Sequence, residues 1–544
     1  MVEIRVEGIK NKDFYYNNLF YDYIFNFNKL NSHFNYDYRK VESFKQRLDI
    51  LDKNYNHSLR EKVAGILKNY NCKFNCSSQT IKNIDKLVDP ESAVIIGGQQ
   101  PIIYSGPLFI IYKILSVIKL SSFIERELKI PVVPCFWNAS DDSNTREATS
   151  ISLFDKEIRR IKLPQKGDKR LSELYYSKKE ILDFNAEIGA FLHDTDFKER
   201  VTSLLQGRVD IMEDKVSLSG LFSHFILQLF ADYGIVVVDP AIRELKELSV
   251  DIIRHDVNNF NHVGKTIRDA GRLLEKEGYH SQLGVKHADL NIFISQEGKR
   301  EKVQYAKNFK IGQREFNKDS LLDFVEENLE KISLNVVIRP IFQDSILPVL
   351  ANICGPGEIS YFAQLKKVYS IYGVDMPIIY PRLSATLIEK KVKKAFSKLG
   401  LDYGDITGEK QDILKDLIKE ELDNKIEIAV NNLKSQIMDN IEDCEKDLSK
   451  SQIDFSSAFD RIKRNLKKEI KVLKGKLYSE HKNKNSYIRN SMDKIYLNIF
   501  PNSGMQEREI NILSYINKYD FKLIENIYYN LKDFDFGHKF IEIG

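Results

Sequence analysis

Residues able to do chemistry gather between Ser92 and Asn144. The apolar run Ala93-Val94-Ile95-Ile96 ends in Gly97-Gly98-Gln99-Gln100-Pro101, and Ser105-Gly106-Pro107 then opens a helical pattern from Leu108 to Leu128. The first amides of a helix lack intrahelical partners and carry partial positive charge, so such a start attracts phosphate or carboxylate. Gly97 and Gly98 permit a sharp turn and a close backbone approach to a ligand. Ser105 can cap the helix, Pro107 suits its first turn, and Lys113 lies two turns in, facing back toward an anion. With Gln99, Gln100 and Gly106 these residues form a candidate anion-binding set. The spacing matches neither the dinucleotide fingerprint nor the P-loop, which disfavours nicotinamide enzymes and ordinary P-loop ATPases. A tight turn without a ligand is the alternative reading of the same glycines.

A second apolar run, Pro131 to Trp137, ends in Asn138-Ala139-Ser140-Asp141-Asp142-Ser143-Asn144. Two adjacent acids at a buried strand end oppose each other's ionisation, so one pKa rises and that group can accept a proton from an amine. A solvated turn or a helix cap is the alternative. Further along, Arg339, Gln343, Asp344 and Arg382 fall at expected strand ends. Arginine offers a planar fork suited to carboxylate or phosphate; an internal salt bridge near Glu358 is the competing role. Gln506 and Arg508 are candidates for a nucleotide contact. His280, His287 and Asp289 lie on irregular backbone and are read as surface or hydrogen-bonded groups. Cys72 and Cys76 have no second Cys/His pair at zinc spacing and are read as free thiols. No metal site is expected.

These residues need a scaffold. Strand, Gly-rich loop, helix, strand and acidic loop make one βαβ unit, and open α/β sheets bind ligands at the carboxyl ends of their strands. Gly234 to Pro240 reads as a strand buried on both faces, with Asp239 at its end as a further ligand-facing candidate. Val336 to Pro340 reads as a return to the parallel sheet, Gly355-Pro356-Gly357-Glu358 as a turn opening a helix from Ile359 to Tyr372, and Pro377 to Arg382 as one more strand. From about 387 apolar residues recur at steps of three and four: Leu422, Ile426, Ala429, Leu433, Ile437, Ile441, Cys444, Leu448, then Phe455, Phe459, Ile462, Leu466, Ile470, Leu473, Leu477. That is a coiled-coil seam, folded between Ser449 and Ser457 into two antiparallel helices. The expected divisions are 1–80, mostly helical; 81–245, first part of an α/β core; 246–333, an insertion; 334–386, second part of the core; 387–498, a dimerising helical arm; and 499–544, a return to the core.

Composition narrows the function classes. The chain has 544 residues, with 82 basic and 78 acidic side chains and a net charge of +4. Near balance argues against a dedicated nucleic-acid binder. No apolar run reaches the roughly 18–20 residues that span a bilayer, and the amino terminus carries no signal-peptide pattern. The expected setting is cytoplasmic, with no nucleic-acid or membrane partner.

The ordered blocks resemble one family. Gly98-Gln99-Gln100-Pro101, Ser105-Gly106-Pro107-Leu108 and Ile111-Tyr112-Lys113 are similar to the signature of the bacillithiol synthase family, the cysteine ligases BshC. Phe136-Trp137 with the acidic loop follows, then Arg339-Pro340 with Gln343-Asp344, Gly355 to Ile359 with Tyr361 and Ala363-Gln364-Leu365, Pro381-Arg382-Leu383-Ser384, Gln506-Glu507-Arg508 and Gly537-His538. The resemblance covers nearly the whole chain. It implies a Rossmann-like parallel-sheet core with a connective insertion, reminiscent of class I aminoacyl-tRNA synthetases, plus a long C-terminal antiparallel coiled coil that makes a homodimer. It also implies ligation of the cysteine carboxyl group to the amine of glucosaminyl-malate. Activation then calls for ATP, with Mg as its counterion. The acidic loop would supply the catalytic groups, Asp141 and Asp142 with the retained Glu147. The family has Glu-Asp-His-Asp where this chain has Asp141, Asp142, Ser143 and Asn144, and commonly Gly where Ile102 stands. The loop imidazole, which shuttles protons easily near neutral pH, is therefore gone. The alternatives are a catalytically altered or inactive homologue acting as a dimeric ligand-binding protein, or a synthetase-like nucleotidyl transferase with another acceptor.

Overall fold

The expected βαβ unit forms where the apolar runs place it. In a computed structural model of the chain, Ala93–Gln99 and Val132–Asn138 are adjacent parallel strands joined by the helix Leu108–Leu128. The structure describes residues 5–9, 14–15, 17–211, 214–284, 289–296, 299–406, 409–423, 426–450, 454–484 and 486–544. Two compact units result: residues 1–387 with 501–544, and residues 388–500.

The strands of the described residues are β1 (Arg5–Ile9), β2 (Ala93–Gln99), β3 (Val132–Asn138), β4 (Ser150–Phe154), β5 (Ile158–Lys162), β6 (Tyr175–Ser177), β7 (Lys215–Ser217), β8 (Val236–Val238), β9 (Asp289–Gln296), β10 (Lys299–Tyr305), β11 (Phe309–Ile311), β12 (Arg314–Phe316), β13 (Ile332–Leu334), β14 (Val349–Cys354), β15 (Ile378–Pro381), β16 (Ser384–Glu389) and β17 (His538–Ile543). The core sheet has the order β15-β14-β2-β3-β8, and every pair in it is parallel. The chain runs outward from β2 through β3 to β8, then returns beside β2 as β14. The order therefore reverses between β2 and β14, the point where such sheets bind ligands.

Packing explains the glycines of β2 and corrects the expected anion loop. Gly97 and Gly98 are not in a turn; they lie inside β2, opposite Phe136 and Trp137 of β3. A Cβ on Gly98 would stand 3.0 Å from the Trp137 Cβ and 3.2 Å from its carbonyl oxygen; one on Gly97 would stand 3.1 Å from Lys113 and Val117. The glycines let a largely buried helix and a tryptophan close on the sheet. The positive-φ turn comes later, at Gly106 (φ 59°).

Val336 to Pro340 is not a strand. The helix Arg339–Ile346 begins there, and the strand returning to the sheet is β14. Val336 is exposed while Val337 and Ile338 are buried, a pattern that a run of β-branched residues hides. The expected helix from Ile359 to Tyr372 is two pieces, Pro356–Phe362 and Lys366–Ile371.

The insertion is a second sheet, order β12-β11-β10-β9-β13, antiparallel in every pair. The helix Val250–Lys276 buries Ile253, Val257, Phe260, Val263, Ile267 and Leu274 along one face, the stripe expected of an amphipathic helix. Buried Asp256 joins it to the sheet and to the core, accepting from the Asn291 amide and side chain (2.8 Å each) and from the Tyr372 hydroxyl (2.7 Å). The carboxyl-terminal segment closes the first unit: β17 pairs with β1 and with β16.

In the second unit the helices Ile426–Leu448 and Ser456–Lys484 run antiparallel. Lys463 pairs with Glu445, and Lys474, further along, pairs with the earlier Glu427. The turn between them includes residues outside those described. The predicted seam is open within one chain: Leu433, Leu448, Ile462 and Leu473 are all exposed.

Replacing Gly98 with Ala is expected to lower the unfolding free energy by about 1–3 kcal/mol, the usual cost of overpacking. Gly65→Ala, in the helix Leu59–Lys73 with nothing within 4 Å of its Cβ position, is expected to raise it by about 1 kcal/mol. Urea denaturation of the two variants measures both.

Candidate functional site

A cavity of about 900 Å³ opens over the reversal point. Its core side carries Gly98, Gln99, Gln100, Lys113, Asp141, Asp142, Glu147, Arg339, Glu358, Arg382 and Arg508. Its other wall comes from the inserted sheet: Phe293, Arg300 and Lys302 share one face of it, and Ile332 and Leu334 of β13 also line the cavity. Seven basic side chains face five acidic ones, so the cavity suits anionic ligands.

The floor is held by Lys113. Its ammonium donates to the Gly98 carbonyl (2.6 Å), to Gln99 Oε1 (3.2 Å) and to Glu358 Oε2 (2.6 Å). The same Glu358 oxygen accepts from the Gly355 amide (2.7 Å). Burial pushes the Lys113 pKa down, and Glu358 opposes that shift. Lys113 does reach back along its helix, but its partners are protein groups.

The helix start is not an anion site either. Its N-cap is Pro107, and the Leu108 amide donates to the Ile510 carbonyl (2.9 Å). Asn511 donates to the carbonyls of Tyr104 (2.8 Å) and Gly106 (2.6 Å). Ser105 caps nothing: its hydroxyl is buried with no hydrogen-bond partner among the described residues. Gly97, Ser105 and Gly106 therefore serve packing, while Gly98, Gln99 and Gln100 reach the cavity.

The acidic loop is anchored from beneath by Asp239, which does not face the ligand space. Its carboxylate accepts from Ser140, Ser219 and Tyr70, the last at 2.9 Å, and from the Ala241 amide at 2.9 Å. Burial raises its pKa, with these hydrogen bonds opposing. Above it, Asp141 is already matched by Lys246 (3.1 Å) and Arg170 (3.4 Å). Burial pushes the Lys246 pKa down, and Asp141 opposes that. Lys246 reaches both carboxylate oxygens and Arg170 one of them, so Asp141 is placed to anchor the loop. Asp142 differs. Its Oδ1 accepts from the amides of Ser143 (2.6 Å) and Asn144 (3.2 Å), and its Oδ2 has no hydrogen-bond partner among the described residues. Glu147 likewise uses one oxygen, Oε2, for Gln100 (3.0 Å) and Asn144 (2.8 Å).

The remaining candidates divide. Arg339 lines the cavity and donates to the Tyr361 hydroxyl (3.1 Å). Gln343 and Asp344 are buried in the helix Arg339–Ile346, off the cavity, where Gln343 donates to Asp344 (3.0 Å) and Tyr369 donates to Asp344 (2.6 Å). Burial lifts the Asp344 pKa to about 6. They were misplaced because the segment is a helix. Arg382 follows β15 as expected, but its fork grips buried Glu507 (2.7 and 3.1 Å). Gln506 is no nucleotide contact: it brackets the Leu387 backbone, accepting at 2.8 Å and donating at 2.9 Å. Arg508 does reach the cavity. His280 bonds Gln282 (2.8 Å) and Asp289 pairs with Lys302 (2.7 Å); His287 lies outside the described residues.

Five functional groups escaped sequence reasoning. Lys246 lies in the short helix Arg243–Glu247 and Arg170 just before the turn Leu171–Glu173, with no telling spacing. Arg300 and Lys302, two apart on β10, share its cavity face, an alternation readable in hindsight. Gln364 positions the segment Ser281–Leu283 beside the cavity: its Oε1 accepts from the amides of Gln282 and Leu283 (2.8 Å each), and its Nε2 donates to Ser281 (3.1 Å).

A parallel sheet with a cavity at its reversal point, an inserted antiparallel sheet walling that cavity and a C-terminal helical hairpin define a Rossmann-like protein with a coiled-coil extension. The family description "Bacillithiol biosynthesis BshC, N-terminal Rossmann-like domain" matches residues 4–383, and "Bacillithiol biosynthesis BshC, C-terminal coiled-coil domain" matches 385–543. The chain belongs to this BshC family. Similar relatives carry the name "Putative cysteine ligase BshC". One from Salinibacter ruber is 27% identical over 491 residues, 89% of each chain. One from a Geobacillus species is 28% identical over 523 residues, 93% of this chain and 94% of the relative. One from Desulforamulus reducens is 28% identical over 530 residues, 95% and 96%.

The Arg382–Glu507 pair is boxed in by His538, which contacts Ser384 (2.8 Å) and Thr386 (3.0 Å). Burial pushes the His538 pKa down to about 4, with Glu507 opposing. The unfolded chain then binds more protons than the native one between that value and the ordinary value near 6.5. Stability present above pH 6.5 is lost as pH falls toward 4. Between pH 7 and pH 5 the wild type is expected to lose about 2 kcal/mol more than His538→Gln, measured as urea midpoints at each pH.

Proposed function

We propose that this chain is a cysteine ligase of bacillithiol biosynthesis, forming an amide between the cysteine carboxyl group and the amine of glucosaminyl-malate. One observation carries the reading. Segments scattered from Gly98 to Arg508 converge on a single cavity at the sheet's reversal point. Family membership supplies the reaction class.

A carboxylate and an amine do not condense unaided in water, so the carboxyl must be activated. ATP, with Mg as its counterion, is the proposed co-substrate; the basic excess of the cavity suits its phosphates. The cysteine carboxylate oxygen attacks a phosphorus atom of ATP and displaces pyrophosphate or ADP. The amine nitrogen then attacks the activated carbonyl, a C–N bond forms, and AMP or phosphate leaves with one former carboxylate oxygen. Within this scheme Asp142 Oδ2 and Glu147 receive the acceptor ammonium, and one of them takes its proton. Lys246 and Arg170 fix Asp141 and thereby the loop. Arg339 holds an anionic group of the donor side.

The open seam of the helical hairpin supports a homodimer, since a second copy would cover its exposed leucines and isoleucine. Among the described residues no helix is long and apolar enough to cross a membrane, which fits the cytoplasmic setting proposed for a biosynthetic enzyme.

A second reading rests on Ser143. With the loop imidazole absent, the chain is a binding protein of the same architecture, or a slow ligase. The test is mass spectrometry of product from cysteine, glucosaminyl-malate, ATP and Mg. The ligase reading predicts an amide product with wild type, and a loss of about 100-fold or more with Asp142→Ala, as for a general base. No product with wild type, but product with Ser143→His, supports the altered-homologue reading. Full activity in Asp142→Ala overturns the assignment of that residue.

A further inference from the structure

We propose that Arg300 reads a carboxylate on the acceptor, so that the inserted sheet, rather than the parallel core, sets acceptor specificity. The inference rests on the ligase reading above. Arg300 lies on β10 and lines the cavity wall. Two contacts orient its guanidinium: the plane lies over Phe293, 3.9 Å from the ring centroid, and Nε donates to Ser333 Oγ at 3.0 Å. Neither contact uses the outer Nη1–Nη2 edge. Among the described residues no carboxylate lies within 4 Å of it. Four other cations of the cavity are compensated: Lys113 by Glu358, Lys246 by Asp141, Lys302 by Asp289 and Arg382 by Glu507.

Burial depresses the Arg300 pKa, and the charges of Asp142 and Asp141 counter that from a distance. Arginine retains its proton under such a load because its ordinary pKa is so high. The result is a desolvated, pre-oriented fork with one open edge, the arrangement that binds a carboxylate through two parallel hydrogen bonds. Aromatic stacking and the Ser333 bond fix the fork before binding, so little side-chain entropy is lost when a ligand arrives.

The ligand class follows from the opposite wall. The open carboxylate oxygen of Asp142 suits an ammonium, and Arg300 on the facing sheet suits a carboxylate. A molecule spanning the two carries an amine at one end and at least one carboxylate at the other. An aminoglucoside bearing a dicarboxylic aglycone meets that description, whereas a neutral aglycone leaves the guanidinium buried and unpaired. Leaving such a group unpaired is what produces large discrimination.

Steady-state kinetics with two acceptors tests this: glucosaminyl-malate and methyl glucosaminide, which lacks carboxylates. For Arg300→Gln the KM for glucosaminyl-malate is expected to rise about 10- to 100-fold, the worth of hydrogen bonds to a charged group. KM for cysteine and turnover of methyl glucosaminide are expected to hold within about threefold. Arg300→Lys keeps the charge but loses the fork and is expected to fall between. An equal effect on both acceptors, or none on either, overturns the proposal. Calorimetric binding of glucosaminyl-malate without ATP separates the two claims. Binding that depends on Arg300 in a protein that ligates nothing removes the ligase reading and keeps the carboxylate site. Ligation with no dependence on Arg300 does the reverse.

Discussion

A single buried ammonium ties the site together. Lys113 sits on the helix after β2, yet its three partners belong to the end of β2 and to the helix after β14. A buried charge of this kind is tolerated only when paired and hydrogen-bonded. Its partners therefore have to arrive together: Gly97 must lack a side chain for the lysine stem to pass, and Glu358 must cap its own helix through the Gly355 amide. The two glycine-rich blocks, more than two hundred residues apart in the chain, are brought edge to edge over the sheet reversal by that one requirement. The cavity is the space left above them.

The acidic loop shows a second level of the same economy. Four carboxylates crowd its neighbourhood, and three have defined work. Asp239 ties down the backbone beneath, Asp141 is neutralised by Lys246 and Arg170, and Glu147 spends one oxygen on Gln100 and Asn144. Asp142 caps the following amides with one oxygen and leaves the other open. Charge that is paired builds the scaffold; charge that is not is available to a ligand. By that criterion Asp142 on one wall and Arg300 on the other are open charges of the cavity, and a substrate spanning them carries the complementary pair.

Apolar patterning made the core legible in sequence. The runs before Gly97 and Asn138 are strands buried on both faces, and the helix Leu108–Leu128 has the expected limits. Long-range partnership was not legible. Arg382 was correctly placed at a strand end, but nothing near it in sequence announces Glu507, 125 residues on. Gln506 looked like a ligand contact and instead completes the edge of β16 through Leu387. Val336-Val337-Ile338 looked like a strand because β-branched residues favour one; a tertiary preference for the turn before Arg339–Ile346 prevailed. Arg300 lay in the stretch read only as an insertion, and its importance depends on which face of the inserted sheet meets the cavity, a fact of docking rather than of pattern.

The most direct test of the account follows the oxygen of the cysteine carboxylate. Cysteine labelled with heavy oxygen in that group is incubated with glucosaminyl-malate, ATP, Mg and the intact protein, and the products are weighed by mass spectrometry. Activation by ATP in this cavity predicts one labelled oxygen in the AMP, or in the phosphate, for each amide formed, and the labelled species identifies which intermediate was used. Amide product accompanied by unlabelled AMP and unlabelled phosphate would contradict it.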